Sequence, residues 1–208
     1  MTTPVTPRQA GPHPPLGGPG ALVDAVLPEH DARTVQQIAV DAEPSVVYEA
    51  IWQADLLSSR LARTLMAVAC VPEDIVARRR GERAPGGDRH WRLTQALDDD
   101  SPWILLGDRP GAEVVLGLLW TPPAGGTNCR PEEFPEFWRS GVAKVAWSLA
   151  VVPYGSTSVL VAETRTFALD EAARRRFRAV WPVIGPLAGL ARAGMLRAIA
   201  REAERRRQ

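Results

Sequence analysis

The 208-residue chain is 45% hydrophobic and 24% charged, with 25 Lys and Arg against 24 Asp and Glu for a formal charge of +1. That mixture lies away from disordered, collagenous and membrane-embedded compositions, and the length is enough to bury one sizeable core. The near balance of charge gives no basic excess to neutralise a phosphate backbone, so nucleic acid is not an expected partner.

Residues 1–20 contain six prolines and four glycines and almost nothing apolar to bury, which predicts a disordered tail ahead of a single domain over residues 21–208. The tail has no apolar core of the signal-peptide type, and no later uninterrupted apolar run has the length of a membrane span; a cytoplasmic protein with no integral membrane segment is expected. Ala21 to Leu27 is a short approach segment. Arg33 to Asp41 alternates Gln36, Ile38 and Val40 against Val35, Gln37 and Ala39, as a first strand does. Pro44 then opens a helix whose apolar stripe is Val47, Ala50, Ile51 and Ala54. A second helix follows from Ser58 or Ser59, with Leu61, Leu65 and Val68 on its apolar face. Val71 to Arg89 loses periodicity and gathers Arg and Gly, the marks of a solvated connection.

A run of strands is expected next over His90–Leu97, Pro102–Leu106 and Glu113–Trp120, separated by Asp-rich and Gly/Pro-rich turns of the kind that join antiparallel neighbours. Thr121 to Gly141 is a long loop, and its PEEFPEFW stretch suggests a short helix or lid. Val142 to Val152 alternates Val145, Trp147, Leu149 and Val151 against Ala146, Ser148 and Ala150, turns at Pro153-Tyr154-Gly155-Ser156, and returns through Ser158 to Ala168 as a hairpin. Asp170 caps a final helical region, which Pro182, Gly185 and Pro186 are expected to bend or break. The excess of Arg after Asp170 suits a solvated helix face and the negative end of the helix dipole.

Strand, two helices, antiparallel strands and a long last helix are the order of the helix-grip fold. Segments such as DAEPSVVYEAI, WILLGDRPGAEVVLGLLW, GVAKVAWSLAVVP and VAETRTFALDEAARRRFRAVWPVIGP resemble bacterial proteins of the START-like or SRPBCC superfamily. The resemblance spans residues 21–208 and implies an α+β fold, with a curved antiparallel sheet of about six or seven strands around the last helix. It also implies an apolar cavity between sheet and helix, used in relatives for lipids, polyketides and other small hydrophobic molecules; a few relatives are cyclases or hydrolases.

No metal or cofactor is expected. Cys70 and Cys129 lack zinc spacing, His13, His30 and His90 have no ligand partners at useful spacing, and phosphate-loop, dinucleotide and nucleophile-elbow patterns are absent. The candidate chemical residues are Glu163 and Arg165, which period two places on one face of the last strand with Val161 and Phe167. They are either a head-group-orienting or acid/base pair lining the cavity, or a structural ion pair. Trp103, Trp120, Trp147 and Trp181 lie on elements that would surround a cavity, and Phe134 and Trp138 on the long loop would lie at its mouth; ordinary packing is the alternative for each. The expected function is binding or carriage of a small hydrophobic ligand, with a cyclase/dehydratase-like enzyme or a protein-interaction module as alternatives.

Overall fold

The computed structural model describes residues 21–58, 90–98, 101–121 and 125–207. The expected N-terminal tail, the helix over Leu61, Leu65 and Val68 and the connection to Arg89 lie outside the described residues.

The elements run α1 (Leu22–Val26), β1 (Ala32–Val40), α2 (Pro44–Gln53), β2 (Ile104–Arg109), β3 (Glu113–Thr121), β4 (Gly125–Thr127), β5 (Ala143–Tyr154), β6 (Thr157–Ala168) and α3 (Glu171–Arg207), with short 3-10 turns at Leu93–Leu97 and Pro131–Glu133. The strands form a six-stranded sheet in the order β1-β6-β5-β3-β2, with β4 paired to β3 and every pairing antiparallel. An antiparallel sheet holding a long last helix is the α+β helix-grip architecture.

The first strand, the Pro44 helix and the β5–β6 hairpin form where the sequence pattern places them. At the hairpin tip Gly155 takes φ 62°, a left-handed conformation that costs glycine nothing, and the Thr157 hydroxyl donates to the Tyr154 carbonyl at 2.9 Å. The segment expected as a strand over His90–Leu97 is instead an extended lead-in and a 3-10 turn. Asp55, just past α2, accepts from the Trp91 amide at 3.0 Å and meets His90 Nδ1 at 2.7 Å, while Leu56 N donates to Trp91 O at 2.8 Å. The Gln95 side chain then accepts from Arg92 N at 2.8 Å and closes the turn.

The last helix is not broken: it is continuous over 37 residues and contains both Pro182 and Pro186. Both prolines are solvent-exposed, so the carbonyls deprived of an amide partner belong to the outer face, where water can serve them. The helix also holds an 18-residue stretch of mean hydropathy 1.3, long and apolar enough by composition to cross a membrane. In this fold 28% of that stretch is buried.

The two faces of the sheet are covered differently. On one, Leu116, Trp147, Leu149, Leu160 and Ala162 pack against α2 and the C-terminal half of α3, through Val47, Ile51, Leu196, Ile199 and Ala203. On the other, α1 packs Val23 and Leu27 over Val115 and Ala146, and the loop after β4 packs Phe134 over Ile104 and Leu119. Both sides of the central strands are therefore buried, and either face of β6 could have met α3.

Candidate functional site

Alternation sets which side chains face α3: Thr34, Gln36 and Ile38 from β1, Leu160, Ala162 and Thr164 from β6, Val145, Trp147 and Leu149 from β5, and Leu116, Leu118 and Trp120 from β3. Gln36 Nε2 donates to the Gly189 carbonyl of α3 at 3.1 Å, which fixes the helix over β1. Toward the C-terminus of α3 this layer is filled by the core around Ile199. Around the middle of the helix the side chains are less deeply buried. Thr34, Gln36, Thr164, Val145, Leu118 and Trp120 on the sheet, and Trp181, Ile184, Ala188 and Arg192 on the helix, are only half-buried.

The far end of this region is walled by aromatics. Trp120 meets Phe177 edge-on at 6.0 Å between ring centroids, and Phe177 lies 4.8 Å from Trp181 at an interplanar angle of 31°. Trp181 lies against Gly185, where an added Cβ would stand 3.0 Å from the indole. Trp103 and Trp147 form a second tilted pair at 5.8 Å. Between the aromatic wall and the Ile199 core, α3 runs through Leu187, Ala188, Gly189, Leu190 and Ala191 before Arg192, with Ala188 and Gly189 small. The middle of α3 and the sheet face under it thus share aromatic side chains and a set of polar ones.

That polar set was not singled out in the sequence. Arg192 Nη1 donates to Thr164 Oγ1 at 3.1 Å. Thr164 is flanked in register by Thr34 on β1 and Trp147 on β5. Among the described residues, Thr34 Oγ1, Gln36 Oε1, Trp147 Nε1 and Arg192 Nε are buried without a hydrogen-bond partner. No carboxylate among them pairs with Arg192, and burial alone holds its guanidinium below the ordinary arginine value. The signal available was a lone charge: Arg192 is the only ionisable residue between Ala179 and Leu196.

The residues singled out in the sequence divide between three places. Trp103, Trp120, Trp147 and Trp181 lie on the α3 side of the sheet, in contact with one another or with Phe177. Val161, Glu163, Arg165 and Phe134 lie on the opposite face of the sheet, and Trp138 is 69% exposed. Glu163 and Arg165 do share a strand face, but it is the one under α1. There Arg165 Nε and Arg33 Nε donate to Glu163 Oε1 at 2.6 and 2.7 Å, and Arg165 Nη2 reaches Asp24 Oδ1 at 2.5 Å. Arg165 Nη1 also donates to the Leu27 carbonyl at 3.0 Å. Burial pushes the Glu163 carboxyl up, but hydrogen bonds and charges from Arg33 and Arg165 outweigh it and leave the group below the ordinary glutamate range. The network ties α1 and the chain leading into β1 to the sheet.

Two further polar features belong to the framework. The Lys144 ammonium donates to the Pro135 carbonyl at 2.6 Å and lies 5.6 Å from the Phe134 ring centroid, and burial lowers its pKa. A surface depression of about 600 Å³ at the C-terminal end of α3 is lined by Trp52, Asp55, His90, Arg92, Glu202 and Arg205. Within it Arg205 pairs with Glu202, and His90 Nδ1 meets the Asp55 carboxylate.

No known family profile and no curated protein matches the chain. Among solved structures, the chain is similar to a Thermus thermophilus protein at 8% identity and TM-score 0.36, covering 85% of this chain and 100% of that one. It is similar to a Thalictrum flavum norcoclaurine synthase point mutant in complex with a transition-state analogue at 13% identity and TM-score 0.34, covering 85% and 96%. An aromatase/cyclase from Streptomyces sp. R1128 matches at 14% identity and TM-score 0.27, again over 85% and 96%. The helix-grip assignment rests on the strand order and the long last helix themselves. The chain has the α+β helix-grip fold, an antiparallel sheet holding a long last helix.

Proposed function

We propose that this protein binds a small, mainly apolar molecule between the sheet and the middle of α3. The observation that carries the reading is the pairing of two aromatic groups, Trp103 with Trp147 and Trp120 with Phe177 and Trp181, around a stretch of helix that carries small residues. Aromatic walls give broad apolar contact to a flat or flexible ligand, and Trp147 adds a buried donor to orient it. Half-burial of the lining side chains leaves apolar area that a ligand can remove from water, at about 25 cal/mol per Å².

Acid/base catalysis by Glu163 forms no part of the proposal. Its carboxyl is held ionised by two guanidinium groups and lies across the sheet from the proposed cleft. Native mass spectrometry of the gently purified protein, followed by extraction of bound material, tests the reading. An adduct of small-molecule mass that extracts into organic solvent is expected. A bare protein that also leaves the fluorescence of apolar probes unchanged would count against it.

A further inference from the structure

We infer that the cleft selects molecules that carry an anionic oxygen, a carboxylate in the simplest case, and that Arg192 of α3 is the residue that recognises it. This inference rests on the cleft reading above and names the polar end of the ligand.

The arrangement of polar atoms supports this. Arg192 is the single charge in the apolar span from Ala179 to Leu196, and it is directed inward, with Nη1 on Thr164 of β6. A guanidinium brought into an apolar layer is costly unless an anion accompanies it. Among the described residues no such anion is supplied: Glu163, the nearest carboxylate along β6, points to the other face and is occupied by Arg33 and Arg165.

The neighbouring atoms are mainly donors. Trp147 Nε1 can only donate, Arg192 Nε can only donate, and Thr34 Oγ1 can do so; all three are buried and lack a partner among the described residues. Thr34 and Trp147 stand on either side of Thr164 in register, each one strand spacing of about 4.8 Å from it. A carboxylate has two oxygens and accepts without donating, so it fits such a set, whereas an amide or ester brings fewer lone pairs and no charge. The Trp103 and Trp147 pair beside the patch sets the apolar body next to the charged end.

The test is a pair of matched titrations by calorimetry at neutral pH: 2-naphthoate against 2-naphthamide, and dodecanoate against dodecanamide. The first pair presents a flat aromatic body and the second a flexible chain, so the tighter acid identifies the body that the walls prefer. Each tighter-binding pair should show the acid favoured over its amide by about tenfold or more, the contribution of one charge-assisted hydrogen bond. Arg192→Gln should lower the acid-to-amide affinity ratio to about one. Arg192→Lys, which keeps the charge but not the planar fork, should retain part of the preference. Equal binding of acid and amide to the wild type, or a preference that survives Arg192→Gln, overturns the inference while leaving the cleft intact. Binding of neither member of either pair removes the cleft reading and this inference with it. Should Arg192→Gln fail the circular-dichroism check for folding, the wild-type acid-to-amide ratio and Arg192→Lys decide the matter.

Discussion

Glu163 and Arg165 sit two residues apart on β6 with Arg165 Nε donating to Glu163 Oε1 at 2.6 Å, and both side chains turn away from α3 toward α1. Their network locks the N-terminal segment to the sheet. Because the folded-state pKa of Glu163 is depressed, its stabilisation is fully present above the ordinary glutamate range and is lost as pH falls through the lowered folded value. Glu163→Gln should therefore cost about 1.5–3 kcal/mol at neutral pH, since the buried Arg165 keeps Asp24 but loses its charge-assisted bond to Glu163, and the exposed Arg33 loses its own. Urea denaturation of both proteins across an acid series should show the difference shrinking in acid; a difference that stays constant with pH would contradict this account.

Glu113 anchors the same region from β3. Its carboxylate accepts from Leu22 N at 2.7 Å, Val23 N at 3.3 Å and the Ser148 hydroxyl at 2.7 Å, and the residue is 4% exposed. Glu113→Ala leaves these donors without their acceptor and should destabilise by about 2–3 kcal/mol. Hydrogen exchange should show the loss first at Leu22–Val26, ahead of the β5–β6 hairpin. Uniform loss across the sheet would show that the anchor is not local.

Binding and stability should separate along α3. Ile199 is fully buried in the core, so Ile199→Ala should cost about 2–5 kcal/mol and act on binding only through that instability. Trp181 is half-buried beside the cleft, so Trp181→Ala should cost less stability and weaken an apolar probe by about tenfold. Thermal melts and probe titrations of the two variants check the split, which fails if both follow the same ratio.

The prolines of α3 give a third kind of prediction. Pro182 and Pro186 each withhold an amide from an exposed helical turn. Pro182→Ala and Pro186→Ala should each raise stability, by up to about 3 kcal/mol, because water already serves the freed carbonyls only in part. A lowered melting temperature in either variant would mean that the proline's restriction of the unfolded chain outweighs the lost hydrogen bond.

Period-two and period-3.6 patterns made β1, α2 and the β5–β6 hairpin legible, because each has one set of apolar positions that a single partner layer must bury. The pairing of Glu163 with Arg165 on one face was legible for the same reason. Which face met α3 was not, because α1 covers the second face and makes both apolar; the short Leu22–Val26 helix gave too little periodicity to announce itself. His90–Leu97 misled because its alternation was real, while Asp55, far away in sequence, captures Trp91 and turns the segment. Strand and helix order could place Trp103, Trp120, Trp147 and Trp181 on the last helix or on elements around it, and they lie on its side of the sheet. Arg192 could not be singled out, since the helix-wide excess of Arg hid the one that turns inward.

The most direct test of the central claim is a titration of the neutral apolar fluorophore N-phenyl-1-naphthylamine into the wild-type protein and into Val145→Trp. Val145 faces α3 beside Trp147 and is half-buried, so the larger side chain fills the cleft from the sheet side. Saturable binding of one probe per chain is predicted for the wild type, with at least about tenfold weaker binding to a Val145→Trp variant of unchanged circular dichroism. No saturable binding to the wild type, or equal binding to both proteins, would contradict a ligand site between the sheet and the last helix.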